Sequence, residues 1–230
     1  LNLAVDDWAR RQAANILRGL ECGTIVFVTP EAPYGGGKGG VSTYMNMAKQ
    51  LAELGFDVVV ITPLYQVNRL DVLKNFRPRF SGQVYVHLAG QSHPVNILRS
   101  RVDNVEVVYL ENAPYLDHPY GGQGVEDKLR RIHLFSLGAL LALRDQNIYP
   151  HIIQVNEWPT FEVPAILKAY SELYSDEHFK NTKVVAALHN PNPDYSVAVN
   201  EYDNLKMDYY VKILGLDPWK HYDLIFDRES

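Results

Sequence analysis

Four successive segments beginning at Ile25 constrain the fold of this chain more than anything else in it. They are an apolar run (IVFVTP), a glycine-dense loop (EAPYGGGKGG), an amphipathic stretch (VSTYMNMAKQLAELGFD) and a second apolar run (VVVITP). Short, nearly continuous apolar runs bounded by turn residues predict strands buried on both faces, here Ile25–Val28 and Val58–Ile61. Between them Val41, Tyr44, Met45, Ala48, Leu51 and Ala52 recur at helical spacing, and Gly55 ends the helix. Strand, loop, helix, strand is the repeating unit of a parallel sheet. The glycines at 35, 36, 37, 39 and 40 let another molecule approach the backbone closely, and their loop opens onto a helix N-terminus. There the first N–H groups have no intrahelical partner and share the positive end of the helix dipole. Such a place attracts phosphate or another anion. Lys38 adds a mobile cation beside it.

The remainder of the chain alternates in the same way. Leu3–Leu20 predicts a helix with Val5, Trp8, Ala13, Ile16 and Leu17 near one face. Strands are expected at Val84–Leu88, Val105–Leu110, Ile152–Val155 and Val184–Leu188, with a shorter one around Val95–Leu98. Helices are expected at Asp127–Arg144, Thr160–Tyr170 and Asp203–Leu214, the first of these apolar nearly all round from Ile132 to Leu143 and so deeply packed. Asp71–Gly82 fits neither period. The pattern implies an α/β fold with a doubly wound, mostly parallel, Rossmann-like sheet. Residues 1–22 are expected to form a helical segment, or a linker from a preceding region, set apart from a domain at 23–230.

Composition narrows the function. With 230 residues, 47% hydrophobic and 21% charged, the chain can bury a real core. A net charge of −5 with scattered Lys and Arg argues against nucleic acid or an anionic membrane as partner. No apolar run approaches the ~20 residues that cross a bilayer. The single cysteine, Cys22, excludes an internal disulfide framework and fits a reducing compartment. The opening residues are too charged for a secretory signal and lack an initiating Met, so the chain is expected to be cut from something longer and to act in the cytoplasm, or in the plastid of a plant.

Gly35, Gly37 and Gly40 satisfy the G-x-G-x-x-G dinucleotide pattern, but the second strand ends Val60-Ile61-Thr62 without the acid that would hold a ribose. A Walker loop fails because Gly39, not Ser or Thr, follows Lys38. A nicotinamide dehydrogenase therefore rests on glycines alone. A surface turn whose glycines serve backbone geometry only also stays open.

The run from Phe27 to Gly40 resembles the opening of bacterial glycogen synthases and plant starch synthases, whose signature is E-x-x-P-aromatic-x-K-x-G-G-L. Here it reads Glu31, Pro33, Tyr34, then Lys38, Gly39, Gly40 and Val41. Val105–Asp117 with Pro119-Tyr120 is similar to the family's strand and N-P-x-L-F/Y-D-R-P segment. Asp127–Leu140 resembles its D-N-x-x-R-F helix. IIQVNEWPTFEVPAILK (152–168) resembles I-I-H-x-H-D-W-x-T-x-x-x-P-x-x-L, VVAALHN (184–190) resembles V-F-T-I-H-N, and LGLDPW (214–219) resembles L-G-L-P-W. Six matches follow in order from residue 25 to about 220.

The resemblance implies the N-terminal half of a GT-B glycosyltransferase. Such an enzyme retains anomeric configuration and extends α-1,4-glucan from ADP-glucose or UDP-glucose, without cofactor or metal. A C-terminal domain holding most of the donor would be absent from this chain, which alone is expected to be inactive. By the same resemblance Lys38, Gly39 and Gly40 contact the nucleotide-sugar, although the family has one residue between Lys and Gly-Gly and this chain has none. His189 and Glu157 are the catalytic candidates. Tyr120, Trp158, Asn190 and Asp127 are the candidates for sugar and acceptor. Glu157 stands where the family has Asp, Asn156 where it has His, and Lys128 where it has Asn. The histidines show no H-x-x-x-H or H-x-H spacing, and one cysteine cannot build a zinc site. The exchanged residues leave a second function open, a non-catalytic carbohydrate- or nucleotide-binding module within a larger protein.

Overall fold

A computed structural model describes residues 23–32, 42–119, 121–169 and 176–187. The expected helices at Leu3–Leu20 and Asp203–Leu214 lie outside the described residues. Seven strands form one sheet: β1 (Thr24–Val28), β2 (Asp57–Pro63), β3 (Arg79–Leu88), β4 (Gln91–Val102), β5 (Val105–Glu111), β6 (Ile152–Asn156) and β7 (Lys183–Ala187). Their order across the sheet is β3-β4-β5-β2-β1-β6-β7. The five strands from β5 to β7 pair in parallel. Both pairings of β4 are antiparallel, so it alone runs against the others. The helices are α1 (Ser42–Glu53), α2 (Arg69–Phe76), α3 (Gly124–Asp145) and α4 (Glu162–Ala169).

The winding follows from side-chain alternation along the strands. Val26, Val28, Val59, Ile61, Ile153 and Val155 point to one face, where Leu134, Leu137 and Leu140 of α3 and Val163 and Ile166 of α4 cover them. Ile25, Phe27, Val58 and Val60 point to the other, under Ala48 and Leu51 of α1 and Val72 of α2. Strands covered on both faces can be apolar throughout, which is why their sequences show no alternation. Every residue of α3 from Ile132 to Leu140 is buried, as its all-round apolar character required.

Helix ends are set by local chemistry. After α1 the Gly55 N–H donates to Ala52 O at 3.1 Å and the Phe56 N–H to Leu51 O at 3.1 Å, with Gly55 at φ 97°. The same pair of bonds closes α3, from Asn147 (φ 54°) to Arg144 O and from Ile148 to Leu143 O. Both are Schellman motifs, and asparagine is the one residue besides glycine that commonly takes the left-handed position.

Two regions depart from the sequence expectation. The ambiguous segment 71–82 divides between α2 and the start of β3, and the short strand expected at 95–98 extends over the twelve residues of β4. Pro94 interrupts the pattern there. It is tolerated because β4 pairs with β5 only from Asn96 onward, so Pro94 has a strand neighbour on one side alone. The helix expected at 160–170 begins later, at Glu162, after a 3-10 turn over Trp158–Thr160.

Candidate functional site

The chain leaves β1 toward β2 on one side and leaves β6 toward β7 on the other, although β1 and β6 are hydrogen-bonded neighbours. Where winding reverses in this way, a crevice opens beyond the carboxyl ends of the two strands, the usual ligand site of open α/β sheets. Its walls here are Thr29–Glu31 after β1 and Asn156–Trp158 at the end of β6.

Glu157 occupies the crevice in an unusual backbone state. Its φ of 64° and ψ of 159° belong to a region populated almost only by glycine. The surrounding bonds over-determine it. The Glu157 N–H donates to Ala187 O at 3.0 Å, extending the β6–β7 pairing, and its carbonyl accepts from the Thr160 N–H at 3.0 Å. The fully buried Thr160 hydroxyl reaches both Asn156 O (2.9 Å) and Glu157 O (3.0 Å). The Glu157 side chain is thereby held in the interior, with the residue only 4% exposed. Beside it the buried Asn156 amide donates to Val28 O at 3.4 Å and accepts from Gln154 at 3.0 Å, bridging β6 to β1.

A second carboxyl group faces the same crevice. Burial, and then the negative charge of Glu157, push the Glu31 carboxyl above the usual glutamate range. Its backbone is fixed by the Thr29 hydroxyl, which donates to Glu31 O at 2.7 Å. In the sequence Glu31 is marked only as the first letter of the family's E-x-x-P pattern. The signal that marks it is its place three residues beyond an apolar strand, and no local pattern pairs it with residue 157. A carboxyl whose pKa is raised by folding costs the folded state stability when it ionises. The cost is therefore fully present above the folded pKa and vanishes below the ordinary one. Glu31→Gln should be more stable than the wild type at neutral pH, and the difference should shrink as pH falls through the raised value. Denaturant unfolding at a series of pH values checks this; a gain independent of pH would remove the ionisation as its cause.

Around the crevice, Trp158, Pro30, Tyr115, Lys128 and Arg131 line a small pocket whose described walls enclose ≈ 40 Å³, room for a few water molecules. Tyr65 braces it, donating its hydroxyl proton to Pro30 O at 2.8 Å. Asp127 accepts from the Gln123 N–H at 3.0 Å, capping α3, and from Arg131 Nε at 3.2 Å. Arg131 also pairs with Asp117 and donates to Tyr115 O at 2.8 Å. Burial alone would lower its basicity, but the two aspartates outweigh burial and raise it; Asp117, which burial would raise, is held down by Arg131 and His118. Gly122, at φ 122°, lets this segment lie against α3, since a Cβ there would come within 2.9 Å of Lys128 Cγ.

Glu157 and Trp158 thus sit together at the end of β6, while Asp127 reaches the pocket through Arg131. Lys38, Gly39, Gly40, Tyr120, His189 and Asn190 lie outside the described residues. β7 ends at Ala187, paired with Asn156 and two residues before His189. Among the described residues, no helix is long and apolar enough to cross a membrane.

The winding and the switch-point crevice define a Rossmann-like α/β unit of the kind from which GT-B glycosyltransferases are built. The chain belongs to the starch synthase catalytic domain family, whose model matches residues 24–226. The glycogen synthase of Myxococcus xanthus (strain DK1622) is 34% identical over 176 residues, covering 72% of this chain and 35% of that protein. That of Hydrogenobaculum sp. (strain Y04AAS1) is 30% identical over 159 residues, covering 67% and 30%. The chain spans about a third of the length of the curated relatives it matches. In fold it is similar to the catalytic domain of starch synthase IV from Arabidopsis thaliana, solved bound to ADP and acarbose. The TM-score is 0.60 at 22% identity, over 73% of this chain and 34% of that one.

Proposed function

We propose that this chain forms the acceptor side of a retaining glucosyltransferase that extends α-1,4-glucan from ADP-glucose or UDP-glucose. The observation that carries the proposal is a family match across residues 24–226, together with a buried carboxylate at the switch point of the sheet. Transfer breaks the bond from C1 of the glucosyl unit to the diphosphate oxygen and forms one to the acceptor hydroxyl, whose proton passes to the leaving diphosphate. Positive charge develops at the sugar ring between the two events. A fixed carboxylate in a water-poor crevice acts on such charge far more strongly than one in water. In this proposal Glu157 and His189 serve the reacting sugar. Lys38 and the Gly39 and Gly40 amides receive the leaving diphosphate, and Tyr120, Trp158, Asn190 and Asp127 hold the glucan or sugar. No metal or cofactor is assigned to the site.

In this proposal a second domain completes the cleft. The complete protein should release nucleoside diphosphate from nucleotide-glucose when glycogen is the primer, and the isolated chain should not. Failure of the complete protein would overturn the proposal, and turnover by the isolated chain would overturn the shared cleft. In the complete protein, His189→Ala should lower kcat and kcat/KM together, as loss of a contact made only in the transition state does. The buried Asn156 amide, already engaged with Val28 O and Gln154, favours the second reading, a binding module without turnover. Saccharide or nucleotide binding by a complete protein that transfers nothing would select it.

A further inference from the structure

One buried titratable group has no role in the chemistry assigned to the crevice. His133, on α3, has a fully buried side chain, and its Nδ1 lies 3.2 Å from a carboxylate oxygen of Glu162, whose side chain is 12% exposed. A carboxylate can only accept, so the ring donates from Nδ1. Glu162 is the first residue of α4 and follows closely on the turn formed by Glu157 and Trp158–Thr160. We propose that His133 is a positioning residue: by holding Glu162 against α3, it fixes the exit of the turn that keeps the Glu157 carboxylate in the crevice.

Stability alone does not call for this pair. Apolar side chains of similar volume would hold a buried helix contact as well or better. What a histidine–carboxylate bond adds is direction, and the turn needs it. The Glu157 backbone, at φ 64° and ψ 159°, persists only while its surroundings hold it there. On the upstream side the Glu157 N–H is anchored to Ala187 O on β7. On the downstream side, the bonds from Thr160 and Phe161 to Asn156, Glu157 and Trp158 shape the turn without attaching it to another element. The His133–Glu162 bond supplies that attachment, and to a rigid partner. α3 is buried continuously from Ile132 to Leu140 and packs against both the turn and α4. Ile132 and Phe135 line the pocket together with Trp158 and Pro159. Apolar packing thus presses the turn onto α3, and the His133 bond sets where along the helix it stops. The place of Glu162 in the first turn of α4 adds the favourable end of the helix dipole, so its carboxylate is held from both sides.

That Glu157 acts on glucosyl transfer rests on the proposed function. In the complete protein, His133→Ala should lower kcat about tenfold, the scale of a small displacement of a reacting group. The KM values for nucleotide-glucose and for glycogen should stay within about twofold of wild type. His133→Asn, whose amide N–H stands near the place of Nδ1, should recover most of the rate. In the Glu157→Gly background, His133→Ala should lower kcat no further, because the group being positioned is gone and the backbone there is no longer strained. Hydrogen exchange read by mass spectrometry should be about tenfold faster at the 157–161 amides of His133→Ala, with β2 and β5 unchanged. The same fold-change in kcat in both backgrounds, or wild-type exchange at 157–161, would overturn the clamp while leaving the transferase intact. Should His133→Ala fail to fold, Glu162→Gln, which keeps an acceptor oxygen but loses its charge, supplies the same two readings, and wild-type values of both would overturn the clamp. A complete protein without transfer activity, but with accelerated exchange at 157–161 in His133→Ala, would sustain the clamp and overturn the transferase.

Discussion

Replacing Glu157 with glycine is expected to give a protein more stable by about 1 kcal/mol and at least ~100-fold slower in glucosyl transfer. The stability gain has two sources. Glycine adopts the φ of 64° and ψ of 159° at no steric cost, and its introduction removes a buried charge that opposes ionisation of Glu31. On the proposed function the activity loss follows because no other described group in the crevice replaces the Glu157 carboxylate; the other carboxyl there, Glu31, favours its protonated form. Opposite signs for stability and rate are what a strained functional residue produces, whereas a structural residue moves both the same way. Denaturant unfolding and diphosphate release, both on the complete protein, supply the two readings. Glu157→Asp keeps the charge and the strain but shortens the reach by one methylene, and should change the rate while leaving stability nearly unaltered. Wild-type rates in both variants would place the chemistry elsewhere.

Arg131→Met is expected to cost about 2–3 kcal/mol, because it removes charge-assisted bonds that hold two helical turns and a loop together. Arg131 joins Asp117 and the Tyr115 carbonyl in the segment after β5 to Asp127 at the start of α3. The depressed Asp117 carboxyl stabilises the fold at pH values above its ordinary pKa, and that contribution is lost as pH falls through the folded value. Wild-type stability should therefore decline through this acid window, and the decline should flatten in Arg131→Met. Arg131→Lys should recover part of the loss, since an ammonium keeps the charge but not the planar fork. Urea titrations from neutral pH down to about pH 3 measure both effects. An unaltered acid slope in Arg131→Met would detach Asp117 from Arg131.

The expected site was legible in unequal parts. Glu157 and Trp158 are marked in the sequence by the family resemblance of residues 152–168, and they stand at the end of β6. Asp127 was found by motif, but its capping bond to Gln123 and its pairing with Arg131 depend on three-dimensional placement. Glu31 was passed over because its partner is 126 positions away, beyond the reach of any pattern in a local window.

What the sequence determined by itself was the alternation of strand and helix, and hence a parallel sheet wound on both faces. Periodicity, apolar content and capping residues such as Gly55 act within a few positions, so they can be read there. The tertiary structure alone decided how 71–82 divides, how far β4 extends through Pro94, and which strand lies beside β1. The first two depend on hydrogen-bond partners that only the sheet supplies. The last depends on α3, whose apolar surface must cover one face of the sheet while carrying the chain from β5 across β2 and β1 to β6. That crossing makes β1 and β6 neighbours and brings Glu31 and Glu157 into one crevice.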